Sequence, residues 1–345
     1  MRPRAREFGV VLGTMPTGRL NAITDVEGVG VGHSTLVEGD DVRTGVTAIA
    51  AHGGDMTERR VVAAVDLFNA YGKATGLPQV MSEGTLETPV LLTETLNTWR
   101  VADAVLDYHL ERMGLAPRSL NIVVGETNGG YLTNNLGRHV EKEQVFEALD
   151  IARSPGGREK VPEGNVGGGT PMTGYGFKGG IGTSSREGEG FTVGALVQLN
   201  CGSRGDLTIG GVSVGREIML PEAQPSPGNS IMMVVATNLA MESRQLGKVA
   251  KRAALGLART GTIGGNGSGD FTIAFTTGKA ESPKGRGDSF LDPVFRATVE
   301  ATEEAIVNAL FAAETMSGYE GHVRHSLPLD QLEDILAHHG APLKR

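Results

Sequence analysis

The chain has 345 residues with a formal charge of −8, 39% hydrophobic and 21% charged, the composition of a globular protein that buries a large core, which excludes disordered and fibrous classes. Basic clusters interleaved with stacking aromatics are lacking, which argues against nucleic acid or an anionic membrane as partner, and no stretch approaches the roughly 18 apolar residues that cross a bilayer. The lone Cys201 excludes an internal disulfide and a cysteine-based metal cluster, and one cytoplasmic domain over residues 1–345 is expected.

Glycine is the outlier, 51 residues without a collagen-like period, and signals tight turns and close backbone contacts. From the N-terminus, Leu20 to His33 alternates apolar and polar positions and predicts a short strand pair. Strands follow at Gly45–Ala50, Val61–Phe68 and Pro89–Thr93. An amphipathic helix starts at Asn97 or Thr98, carries Val101, Val105 and Tyr108 on one face, and stops at Gly114. Leu120–Glu126 reads as a strand ending in a carboxylate, and Val145–Leu149 as a short helix. Two glycine-rich turns, Gly164–Thr170 and Gly179–Ser185, precede a strand at Phe191–Leu199 that ends at Asn200. Residues 203–229 read as a surface loop marked by Pro221, Pro225 and Pro227. A strand at Ile231–Ala236 leads into a helix with Leu246, Val249, Ala250, Ala253 and Leu257 on one face, ending before Gly261. Last come a strand from Phe271, a polar loop at Lys279–Ser289 and a long helix over Val294–Thr315 striped by Val299, Ile306, Leu310 and Ala313. Repeated alternation of strands and covering helices points to a layered α/β protein with helices outside paired sheets.

The chemistry centres on Gly264-Gly265-Asn266-Gly267-Ser268-Gly269-Asp270, which puts Ser268 at a strand start. Glycines there suit a phosphate cradle, a bare hairpin, an exposed nucleophile, or a Gly-Ser peptide that the serine itself cuts. A phosphate site lacks its P-loop lysine, and the text is not the G-x-S-x-G elbow, since Asn occupies position 266. The histidines His33, His52, His109, His139, His322, His325, His338 and His339 show no catalytic or metal spacing. A serine without histidine can use its own α-amine, which titrates at about 7.7 to 8.0, once the chain is cut between Gly267 and Ser268. Asn200 at a strand end is either an oxyanion donor or the cap of a turn. Glu126 either pairs with a substrate ammonium group or sits solvated in its turn. On the long helix, projection at about 100° per residue places Thr302 and Glu303 within the apolar stripe and points Glu304 away, unless a frayed end or late start turns Glu304 inward.

Together these segments resemble the DmpA-like aminopeptidases, which include L-aminopeptidase/D-esterase/amidases and β-peptidyl aminopeptidases. The likeness is carried by Leu20–Val26 with Val31-Gly32-His33, Val123–Thr127, Gly164–Thr170, Phe177–Ser185, Val193–Gln198 with Asn200, and Asn266–Asp270. It implies an αββα sandwich similar to N-terminal-nucleophile hydrolases with different connectivity. It also implies self-cleavage into α (1–267) and β (268–345) chains, with Ser268 as nucleophile, Asn200 as oxyanion donor and Glu126 as holder of the substrate's amine. The family's hydroxyl and glutamate, two residues apart, fit Thr302 with Glu304, or Glu303 with Ala301 in place of the hydroxyl. Asn128 stands where some members carry an aromatic lining the substrate site, and residues 66–83 depart from the family's text. The expected activity is release of N-terminal residues from short peptides, amides or esters by a homo-oligomer of αβ units, four by analogy, and the resemblance implies that it needs no metal or cofactor. The rivals are an acyltransferase of the same self-cleaving design and an uncut binding protein.

Overall fold

The computed structural model describes residues 2–220, 230–278, 288, 290–341 and 343–344. The prolines of the expected 203–229 loop, and most of the 279–289 loop, lie outside these residues. The strands are β1 (Gly30–Glu38), β2 (Val42–Ala50), β3 (Val61–Ala70), β4 (Thr85–Leu86), β5 (Val90–Glu94), β6 (Val123–Thr127), β7 (Thr173–Gly174), β8 (Phe177–Lys178), β9 (Gly180–Gly188), β10 (Phe191–Asn200), β11 (Ser230–Thr237) and β12 (Gly269–Thr276). The helices are α1 (Ala5–Phe8), α2 (Leu77–Glu83), α3 (Thr98–Asp107), α4 (Lys142–Arg153), α5 (Ser243–Arg259), α6 (Leu291–Ala312) and α7 (Leu329–His338).

One main sheet has the order β1-β2-β5-β6, the other β4-β3-β12-β11-β10-β9, while β7 with β8, and Met316–Ser317 with Val323–Arg324, form separate two-stranded pairs. Three apolar clusters define the layers. Val46, Leu91 and Val124 of the first sheet meet Val101 of α3 and Leu149 of α4. Leu92, Val123, Leu196, Val234 and Ile273 fill the space between the sheets. Val197, Val235 and Ala274 of the second sheet meet Leu246 and Leu257 of α5 and Ile306 of α6. The result is the expected αββα sandwich, and it explains why all nine residues of β2 are buried: one face meets helices, the other the second sheet.

Four local expectations are corrected. The strand pair at 20–33 is instead a single helical turn, Ile23–Asp25, followed by β1, because the Asp25 carboxylate accepts the N–H groups of Leu20 and Ala22 at 2.9 and 3.0 Å and closes the turn. The glycine-rich stretch 179–185 is mostly strand β9. Its glycines serve helix packing: a Cβ on Gly182 would lie 2.0 Å from the Ala305 carbonyl of α6. The helix at 145–149 starts earlier, at Lys142, where Gln144 accepts the Glu141 N–H at 2.9 Å. Finally, α6 is buried on every side from Ala297 to Phe311, so Glu304, read as pointing away, is fully buried. Arg6 from the N-terminal segment and Arg186 from β9 cover its polar side.

Candidate active site

The catalytic candidates collect where the ends of the two sheets meet. Asn200 on β10 lies opposite Ser230 on β11, Ser230 opposite Gly269 on β12, and Gly269 opposite Ala70 on β3. Asn200 and Gly269 are thus two strand spacings apart, roughly 10 Å. The Gly269 N–H donates to Ser230 Oγ at 3.2 Å. Ser268 immediately precedes this row and is 1% exposed, whereas Asn266 and Gly267 are exposed. The scissile candidate therefore joins a solvent-facing turn to a buried hydroxyl. Within 264–269 only Gly264 has positive φ, at 61°. Gly264 is demanded by that φ, and at Gly269 a Cβ would stand 2.9 Å from the Tyr71 carbonyl, while one on Gly267 would meet nothing within 4 Å beyond its chain neighbours.

The Ser268 hydroxyl donates to Asp270 Oδ1 at 2.5 Å. Burial pushes this carboxyl up to about 6, while the bonds from Ser268 and the Ile231 N–H hold it down. Its second oxygen is buried without a hydrogen-bond partner among the described residues. The backbone around the serine is braced by Asn69 of β3, whose side-chain amide donates to the carbonyls of Gly265 (3.2 Å), Asn266 (3.1 Å) and Ser268 (2.5 Å). The Ser268 N–H itself donates to Gly265 O at 2.8 Å, so the preceding turn is closed on both sides.

Asn200 is 1% exposed, and its amide is oriented at both ends. Thr173 N–H donates to Oδ1 at 2.8 Å, and Nδ2 donates to the Asn128 carbonyl at 2.9 Å. An amide nitrogen carries two hydrogens, so one remains for a further acceptor. Asn128 enters through this carbonyl. Its side chain accepts the Gly130 N–H at 2.9 Å, and the residue is exposed. Glu126, near the end of β6, is 3% exposed and accepts the Lys73 N–H at 2.8 Å. Close by, Glu94 at the end of β5 is fully buried and pushed up to about 8, first by burial and further by the charge of Glu126.

Thr302, Glu303 and Glu304 occupy the middle of α6, in the outer layer. Thr302 Oγ1 is buried without a partner among the described residues. Glu303 accepts from Arg259 at 3.0 Å, and burial raises its carboxyl despite that partner. Glu304 takes Arg6 at 2.8 Å, Arg186 at 2.6 Å and the Asn21 amide at 2.6 Å. None of the three hydrogen-bonds to Ser268 or Asp270 among the described residues, and no histidine does either.

Asp270 and Asn69 escaped sequence reasoning for different reasons. The signal for Asp270 was present, since residues two apart on a strand share a face and Ser268-Gly269-Asp270 has that spacing. Asn69 sits 199 residues away from Ser268 in sequence, and only the β3–β12 pairing brings it near. Among the described residues, no cluster of three or more His, Cys, Asp or Glu is arranged to hold a metal, and no helix is long and apolar enough to cross a membrane.

Residues 21–324 match the model of peptidase family S58. The chain is 40% identical over 372 aligned positions to the β-peptidyl aminopeptidase BapA of Sphingosinicella xenopeptidilytica, covering 97% of this chain and 91% of that one. Its fold superposes on the PH0078 protein of Pyrococcus horikoshii OT3 with a TM-score of 0.89 at 43% identity, covering 98% and 99% of the two chains. The L-aminopeptidase D-Ala-esterase/amidase of Ochrobactrum anthropi, described as a prototype serine aminopeptidase and a variant of the Ntn hydrolase fold, superposes with a TM-score of 0.89 at 37% identity over 99% of each chain.

Proposed function

The chain belongs to peptidase family S58 and is a serine aminopeptidase of the Ntn hydrolase fold, and we propose that it cuts its own backbone before Ser268 and uses the freed residue as nucleophile. The observation that carries this reading is the Ser268 hydroxyl, buried at the start of a central strand and bonded to Asp270 at 2.5 Å. In the cut, Asp270 takes the hydroxyl proton and Oγ attacks the Gly267 carbonyl. The carbon–nitrogen bond to Ser268 then breaks as the nitrogen gains a proton. Water hydrolyses the resulting ester, leaving a carboxylate on Gly267 and a free α-amine on Ser268. Chains of residues 1–267 and 268–345 result, held in one catalytic unit by the pairing of β12 with β3 and β11.

In turnover the α-amine, at about 7.7 to 8.0 in its ordinary range, accepts the hydroxyl proton and later passes it to the leaving amine. The unshared hydrogen of Asn200 Nδ2 stabilises the oxyanion. Glu126 receives the substrate's ammonium group, and the exposed Asn128 lines its approach. A part in turnover for Glu303 or Glu304 requires that α6 act through its ion pairs or open them after the cut, because the intact chain engages Glu303 with Arg259 and Glu304 with Arg6 and Arg186, while a part for Thr302 would use its hydroxyl, unengaged among the described residues. The substrate class is a short peptide, amide or ester with a free α- or β-amine, consistent with the aminopeptidase, esterase and amidase activities of the relatives. Cytoplasmic residence and assembly of αβ units into a homo-oligomer complete the proposal. The test compares release of p-nitroaniline from an amino-acid p-nitroanilide and its N-acetylated form. Wild type should hydrolyse only the free amine and Ser268→Ala neither. Equal hydrolysis of both forms would overturn the amine-directed reading.

A further inference from the structure

Lys178 is a fully buried cation that the mechanism above does not use. Its residue on β8 is 0% exposed, and no carboxylate lies within ion-pair distance among the described residues. The ammonium instead donates to three backbone carbonyls, Met172 at 2.8 Å, Gly179 at 2.9 Å and Gly169 at 3.3 Å. Loss of water without an anion in exchange pushes the amine down from 10.5 to about 7. An apolar side chain of similar length would fill the same space without that desolvation cost, so the charge calls for an explanation beyond filling.

The carbonyls supply one. Gly169 and Met172 belong to the turn that leads directly into Thr173, and Thr173 pairs with Lys178 across the β7–β8 hairpin. Gly179 N–H also donates to Met172 O at 3.0 Å. Thr173 N–H is the group that holds Asn200 Oδ1, at 2.8 Å. The ammonium thus grips the carbonyl end of the same peptide, Met172–Thr173, whose N–H sets the plane of the Asn200 amide. That plane decides where its second Nδ2 hydrogen points.

We propose that Lys178 is a positioning residue for the oxyanion-binding amide, drawing in the carbonyls of Gly169 and Met172 so that Thr173 N–H holds Asn200 in its donating orientation. This rests on the reading of Asn200 as oxyanion donor. Charge develops on the substrate oxygen only in the transition state, so losing the clamp lowers kcat and leaves substrate binding nearly unchanged.

The experiment is a double-mutant cycle of Lys178→Met and Asn200→Ala on an amino-acid p-nitroanilide, with active sites counted by a serine-acylating titrant. Lys178→Met should lower kcat per titrated site by about 10- to 100-fold with KM within about twofold, and the double variant should be no slower than Asn200→Ala alone. A lysine that served only folding would reduce the number of titratable sites and leave kcat per site intact. That result, or effects that multiply in the double variant, overturns the proposal. Where Lys178→Met does not accumulate as folded protein, Lys178→Gln, which keeps amide donors but drops the charge, stands in the same cycle under the same criteria. A failure of the underlying reading shows separately, as wild-type turnover by Asn200→Ala.

Discussion

Replacing Asp270 with Asn keeps the shape of the side chain and an oxygen for the Ser268 hydroxyl but removes the group that can take its proton. The bond it replaces is 2.5 Å long, and the carboxyl titrates at about 6. At pH 7.5 roughly 97% of such a group is ionised, at pH 5 roughly 10%. Because the folded value is raised from 3.8, the basic form accumulates only as pH rises through about 6. Self-cleavage of the wild-type chain should therefore slow about tenfold between those two pH values. General-base assistance is worth about 10² to 10⁴ in rate, so Asp270→Asn should process at least about 100-fold more slowly at pH 7.5 and lose the dependence on pH. The assay is pulse-labelled chain made in a cell-free system, shifted to each pH and followed on a denaturing gel. Processing of Asp270→Asn at the wild-type rate, or a wild-type rate that is flat between pH 5 and 7.5, would refute Asp270 as the base.

Asn200→Ala should lower kcat by about 10² to 10³ in the processed enzyme, with its melting temperature within a few degrees of wild type; near-normal kcat would remove the oxyanion role. Glu126→Gln should raise KM for free-amine substrates by about tenfold or more while kcat changes less, since it weakens an ion pair formed on binding. A KM for the free-amine substrate unchanged from wild type would count against it. Glu304→Gln leaves the fully buried Arg186 with Glu300 alone, at 3.3 Å, and Arg6 without its carboxylate, so the loss should fall below the about 3 to 5 kcal/mol of stranding a buried charge entirely. Thermal unfolding should register the loss; an unchanged melting temperature would mean that the ion pair with Arg6 and Arg186 is not formed in solution.

The layering was legible because its causes are local. The apolar runs of β10 and β11 and the one-sided apolar stripe of α5 are written in consecutive residues, and the structure places them as read. Thr302 and Glu303 were read as inward and are buried, but Glu304 was misleading, because projection set it off the apolar stripe. What buries Glu304 is an arginine 298 residues away. The glycines of β9 misled for a related reason: they read as a turn, although Gly182 is there to let α6 approach the sheet. At the site, Ser268, Asn200 and Glu126 stood out as polar residues at strand ends next to glycine. Asp270, Asn69 and Lys178 did not, because what distinguishes them is the company that folding brings: a hydroxyl, a loop carbonyl, a turn.

The central claim, that Ser268 severs the chain before itself, is tested most directly by the intact mass of the purified protein beside Ser268→Ala. Wild type should give two masses, corresponding to residues 1–267 and 268–345, and the variant one uncut mass. A single uncut mass for wild type after prolonged incubation at neutral pH, or cleavage at the same bond in Ser268→Ala, would contradict it.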